Sequence, residues 1–411
     1  MNWKVVLAIL TGNVVFMSAS YTMLIPFLPM YLSRELGVAA ADVPMWSGIV
    51  FSATFVVSAV MAPIWGRMAD KRGKKAMAVR AALFLAIAYF LGGVVTSPWQ
   101  LAGVRVFQGF AAGLWPMDLA IMTLYAPPKK LGLCLGTLQG AMTGGQVLGP
   151  LFGGVLAEAF GMRASFFAAA AFLFLNFLIF LFVIKEPSAS PSPSSSSTAA
   201  APAKTALWKE PFIRRLLTYA VFVQMVILIL QPVLTTYIAD LAGDLPNIVF
   251  VAGLVFSLSG FASIFSAPLW GKIGQSHGFF NVLAITLAGS GLVMIAQGVP
   301  DTLYAFAALQ FAIGLFFAGI QPSINAILAS HTDRSVKGSV FGLLFSAQQL
   351  GAIAGPILGG FIATFFGTHY VFYVGGVMLL AVSFAVSRQK RAVHRQGAVN
   401  PVNQNHQLTA R

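Results

Sequence analysis

Twelve runs of about twenty mainly apolar residues, the length that carries a helix across a bilayer, leave this chain little choice of fold. They fall at approximately 5–29, 45–65, 76–96, 99–124, 131–157, 163–184, 213–239, 247–270, 279–298, 302–328, 338–364 and 369–387. The gaps are mostly short and carry turn residues, as in Thr96-Ser97-Pro98 and Ala126-Pro127-Pro128. Only 9% of the 411 residues are charged while 58% are apolar. A soluble domain carries about 25% charged residues, so lipid must be the solvent for most of this surface. The expected class is an all-α membrane protein. The opening Met-Asn-Trp-Lys runs into an apolar stretch with no small-residue cleavage site, which reads as a first span and not a removable leader.

The net charge of +14 is spread in short clusters between the apolar runs. That pattern reads as membrane topology and not as a nucleic-acid surface. With the N-terminus inside, every Lys and Arg except Arg34, Arg105 and Arg163 falls on the cytoplasmic side, Arg80 being counted with the basic cluster after the second run. Both termini are therefore expected in the cytoplasm. Cys134 is the sole cysteine, the histidines lie in loops, span ends or the tail, and no phosphate-cradling Gly-Lys-Ser/Thr occurs. Neither a metal, a cofactor nor an enzymatic nucleophile–base set is expected.

Residues 187–203 are almost entirely Pro, Ser and Ala, which cannot bury a core and reads as a flexible linker. The expected organisation is a six-helix bundle over 1–186, a linker over 187–212, a second bundle over 213–388 and a basic tail over 389–411. The two bundles repeat. Gly48, Val50, Phe51, Ser52, Ser58, Ala62, Pro63, Trp65, Gly66 and Gly73 recur 205 residues later; Gly136, Gly145, Gly149, Pro150, Gly153, Gly154, Phe160, Gly161 and Phe166 recur 206 residues later. Parallel repeats of this kind form major facilitator transporters, in which two halves rock about a site near the midplane.

Three motifs make the resemblance specific. Gly66-Arg67-Met68-Ala69-Asp70-Lys71-Arg72-Gly73-Lys74-Lys75 resembles the major facilitator loop motif Gly-x-Leu-Ala-Asp-Arg-x-Gly-Arg-Lys. Its glycines allow a tight turn, and Asp70 can meet a helix end or the basic cluster; the second half keeps Gly271 and Gly278 but has Gln275 for the acid. Arg105-Val106-Phe107-Gln108-Gly109 resembles the family's Arg-x-x-Gln-Gly, whose arginine is linked to proton transfer. An arginine inside an apolar run faces a polar interior or snorkels to the surface; both readings stand. Gly145-Gln146-Val147-Leu148-Gly149-Pro150-Leu151-Phe152-Gly153-Gly154 resembles the antiporter motif of the family's exporters. Its small residues permit close helix contact and its proline a bend. Pro26 to Pro29, Met45 to Ser52 and Leu241-Ala242-Gly243 add to a likeness with bacterial twelve-span drug–proton antiporters. One departure is Leu124-Tyr125, where many relatives carry an acid that pairs with the loop motif.

The resemblance implies a monomeric transporter in the bacterial inner membrane that exports amphipathic drugs in exchange for protons. Export of one metabolite, siderophore or lipid is the alternative. Proton exchange needs a titratable group, and Asp118 is the only acid well inside a run. It is read either as the coupling group or as a structural partner on the cytoplasmic side that caps a break after Pro116 or replaces the missing latch acid. On one continuous helix Asp118 and Arg105 would stand about 220° and 20 Å apart, so they do not pair. Polar candidates for the substrate cavity are Tyr21, Gln108, Gln139, Gln146, Gln224, Gln231, Gln321, Asn325 and Gln348, with Gln310 and Gln349 besides.

Overall fold

A backbone in hydrocarbon must bond within itself, and this chain does so as helices. The computed structural model describes residues 2–127, 130–185, 210–243, 247–332 and 337–399; most of the expected linker lies outside them. The first half comprises α1 (Trp3–Met23), α2 (Leu28–Arg34), α3 (Val43–Arg72), α4 (Lys74–Val94), α5 (Pro98–Ala111), α6 (Leu114–Tyr125), α7 (Leu131–Phe160) and α8 (Met162–Leu178). The second comprises α9 (Pro211–Ile229), α10 (Leu234–Ala242), α11 (Ile248–His277), α12 (Phe279–Gln297), α13 (Leu303–Ser330), α14 (Lys337–Phe366) and α15 (Thr368–Val399). Among the described residues, ten helical stretches are long and apolar enough to cross a membrane. The other two expected spans are α7, rich in Gly, Thr and Gln, and α5 with α6, interrupted at Ala112–Gly113.

The repeat is visible in how the helices are joined. Gly73, Gly161, Gly278 and Gly367, each with φ between 85° and 104°, turn the chain directly from one helix into the next. Such backbone is open to glycine and costly for other residues. The loop motif is therefore mostly helix: Gly66 to Arg72 complete α3, Gly73 turns, and Lys74 opens α4. A Cβ on Gly66 would meet nothing within 4 Å, so the close approach expected of it is not made in this conformation.

Glycines also set the packing. Gly145, Gly149 and Gly153 of α7 lie against Val15, Ala19 and Met23 of α1, and Gly351, Gly355 and Gly359 of α14 lie against Val221, Met225 and Ile229 of α9. Every member of the second seam stands 206 residues after its counterpart in the first.

The halves meet along two matching seams, α3 with α14 and α7 with α11. A Cβ on Gly48 would stand 2.5 Å from the Pro356 carbonyl oxygen, and one on Gly253 2.5 Å from that of Pro150. Ser52 Oγ donates to Ile353 O (2.8 Å), Ser257 Oγ to Val147 O (2.9 Å), and Gln349 Nε2 to Ser58 Oγ (3.1 Å). Except for Ser58–Gln349, which sits at the middle of α3 and α14, these contacts lie in the part of each helix remote from the basic loops. Toward the basic end, residues 60–67 of α3 and 131–140 of α7 are largely exposed. Side-chain bonds between membrane helices contribute about 0.6 kcal/mol each, and no ion pair between described residues joins the halves. The seams are held by close packing, which can part.

Candidate functional site

The fourth span carries both buried charges. Ser97 caps the start of α5, its Oγ accepting from Gln100 N at 3.3 Å, and Pro98 fits the first turn. Two turns further, Arg105 is only 7% exposed, which settles its direction: it points inward and does not snorkel. Its Nη1 donates to Gln108 Oε1 at 2.9 Å, and its guanidinium lies 5.7 Å from the Phe51 ring centre. Nε and Nη2 have no hydrogen-bond partner. Gln108 is thereby committed to Arg105 and is itself buried.

After Ala111 the helix stops. Gly113 has φ +122°, and α6 restarts at Leu114. The break precedes Pro116, so Asp118 caps nothing. The Asp118 side chain is wholly buried and neither carboxyl oxygen has a hydrogen-bond partner. It pairs with none of the basic residues of the loop motif. Asp70 of that motif is exposed on the last turn of α3, without an ion pair to another described residue, and Arg72 beside it is exposed too. No ion pair links Arg105 to Asp118, although the break makes the continuous-helix geometry inapplicable.

Two tyrosines stand in the neighbourhood of these charges, Tyr21 of α1 within electrostatic range of Asp118 and Tyr89, and Tyr89 of α4 within range of Arg105. Arg105 and Asp118 are the only buried charged side chains among the described residues, and both belong to the first half. The repeat puts Ile227, Met294 and Gln310 where the first half has Tyr21, Tyr89 and Arg105, and Ser323 and Ile324 at the register of Asp118. Gln310 is closed off in a 2.6 Å bond from Gln297 Nε2.

Of the other cavity candidates, Gln139 and Gln146 are exposed on α7, while Gln224, Gln231, Gln321, Asn325 and Gln348 are partly exposed. Gln231 Oε1 and Asn325 Oδ1 lack partners. In the antiporter motif, Gly145, Gly149 and Gly153 face α1, whereas Pro150 and Gly154 face α11 of the other half. Sequence reasoning gave no role to Tyr89 and counted Arg80 with the basic cluster. Arg80 is half-buried between α4 and the broken fourth span, with Nη2 donating to Ala112 O at 3.1 Å. Its position inside the third apolar run, away from the basic cluster, was the available signal.

Comparison with known proteins gives concordant matches. The family model described as Major Facilitator Superfamily matches residues 10–246 and 244–406. Multidrug resistance protein MdtG of Proteus mirabilis is 33% identical over 377 residues, covering 90% of this chain and 92% of that protein. The protein of the same name from Enterobacter lignolyticus is 34% identical over 381 residues, covering 92% and 90%. Among solved structures, the nucleoside transporter NupG superposes with a TM-score of 0.79 at 18% identity, covering 94% of this chain and 99% of that one. A bacterial homolog of the human lysosomal transporter Spinster, in an inward-facing and occupied conformation, gives 0.78 at 17% identity, covering 94% and 97%.

Proposed function

The chain belongs to the major facilitator superfamily, and from that premise we propose that it exports amphipathic drugs across the inner membrane in exchange for protons. The observation that carries the proton half of this reading is Asp118, a carboxyl group buried in a membrane span with neither oxygen bonded. An ionisable side chain so placed is costly to bury, which makes function the default reading of it. It can take a proton or face a cation, whichever reaches it. The likeness to MdtG over 90% or more of both chains supports the drug half.

The halves are joined at the end remote from the basic loops. With the basic loops in the cytoplasm, this conformation is open inward. Substrate enters the cleft from the cytoplasm or the inner leaflet, the seams part, and the basic ends close. Asp118 binds a proton on the outer-open side and loses it inside. A proton moving inward down about 100 mV supplies about 2.3 kcal/mol, enough to concentrate a neutral drug about 50-fold.

The test is expression in an efflux-deficient host, with susceptibility measured over a chemically varied panel with and without an uncoupler. Protection against several unrelated amphipathic compounds, abolished by the uncoupler, is the expected result. Protection against one compound class alone would replace the multidrug reading by export of a single metabolite, siderophore or lipid. Export insensitive to the uncoupler would remove the proton.

A further inference from the structure

We propose that Arg80, together with Trp65, clamps the fourth span in its broken form and thereby positions Asp118 for proton exchange. The inference rests on the coupling role read for Asp118.

A helix that stops inside a membrane leaves its last carbonyls without intrahelical donors, and no lipid can supply them. Here they are met from two other helices. Trp65 Nε1 of α3 donates to Phe110 O at 2.8 Å. Arg80 of α4 donates through Nη2 to Ala112 O at 3.1 Å and through Nη1 to Phe110 O at 3.5 Å. The guanidinium carbon lies 3.7 Å from the Trp65 ring centre, and the Phe110 ring meets that indole edge-on at 5.1 Å. A cation at a helix C-terminus also complements the helix dipole. Gly113 completes the arrangement: its φ of +122° suits glycine, and a Cβ there would stand 3.5 Å from Arg80 Nη2.

The second half separates the structural part of this arrangement from the special part. Trp270 Nε1 donates to Leu315 O at 2.6 Å, the same bond 205 residues later. Yet Ile285 stands in place of Arg80, and α13 runs unbroken from Leu303 to Ser330. The tryptophan bond alone therefore needs neither a break nor a charge. Among the described residues the arginine, the break and a buried acid occur together, in one half only. Because a helix turns about 100° per residue, the place of the break decides which way Asp118 faces. Trp65 immediately precedes the loop motif and Arg80 follows it, so movement of the α3–α4 turn during rocking is transmitted to the break.

The full-length protein in proteoliposomes, with the fluorescent lipophilic cation ethidium as probe, tests this. Substrate counterflow, which needs no proton gradient, is compared with gradient-driven accumulation across a pH series. Arg80→Gln is expected to keep counterflow within about twofold while driven accumulation falls about tenfold or its pH midpoint moves by about one unit. Arg80→Lys, which keeps a donor cation, should restore most of the driven accumulation. Trp270→Phe should leave the pH profile as in the unaltered protein. If Arg80→Gln fails to fold, Gly113→Ala provides a second test, since a φ of +122° is strained for alanine and the break that Arg80 holds is disturbed from the other side. An unchanged pH profile and unchanged driven accumulation in the folded variant, whatever its thermal stability, overturns the clamp. Asp118→Asn is run alongside: if it accumulates normally, the coupling reading fails, and if it is inactive while Arg80→Gln is normal, only the clamp fails.

Discussion

Asp118 and Arg105 are both buried, but they are held in different ways, and this sets what each can do. Arg105 shares its charge with Gln108 and lies near the Phe51 ring, so it has a fixed setting. Asp118 has none. Asp118→Asn keeps volume and removes the proton site, so driven accumulation should vanish while counterflow persists, as read in proteoliposomes with and without a pH gradient. Normal driven accumulation in that variant would exclude Asp118 from coupling. The Glu35–Arg163 pair makes a useful contrast. It is well formed at 3.0 Å, but each side chain is about one-third exposed (34%), and exposed pairs are worth at most about 1 kcal/mol. Arg163 keeps its bond to Gly93 O (2.9 Å) without it. Glu35→Gln should therefore cost less than about 1 kcal/mol in a detergent melt, and a larger loss would show the pair holding the end of α2 in place.

The helix α7 shows what spacing alone does and does not reveal about an element. Gly132, Gly136, Gly140 and Gly144 repeat every fourth residue, as do Gly145, Gly149 and Gly153. A Cβ meets nothing within 4 Å at the first four and collides with α1 at the last three. Gly149→Ala should overpack the seam by about 1–3 kcal/mol or more, while Gly136→Ala should be tolerated; the monodisperse fraction after extraction distinguishes them. Equal yields would mean that the seam relaxes freely. Hydropathy and the 205- and 206-residue offsets made the spans and the repeat legible, because burial in lipid constrains every residue of a span. Which glycines touch which neighbour was not legible, since that depends on a helix distant in sequence. The break at Ala112–Gly113 escaped notice for a related reason: Ala111, Ala112 and Gly113 fit a continuous helix as readily as a stop. What stops it, Arg80, is over thirty residues away, and only its place inside the third apolar run sets it apart from the basic cluster.

At the scale of the whole molecule, packing symmetry and charge asymmetry divide the labour. The seams obey the repeat down to individual bonds: Ser52 with Ile353 and Ser257 with Val147 are the same contact made twice. A two-fold seam parts evenly, as rocking between two access states requires. The buried charges among the described residues break the symmetry and lie in the first half, so the proposed proton chemistry belongs to one half while the proposed rocking involves both. The seam should then be indispensable to transport but separable from access at the basic end. Ser58 and Gln349 meet side chain to side chain across it at 3.1 Å, and the one native thiol, Cys134, is buried. In a Cys134→Ser background, Ser58→Cys with Gln349→Cys should be joined by a short bismaleimide, and joining should stop ethidium export. A further cysteine replacing exposed Gln139 should still react with a thiol reagent after joining, because the basic end stays open when the middle of the seam is fixed. Full export from completely joined protein would mean that these seams do not part, and the alternating motion would have to be sought within each half.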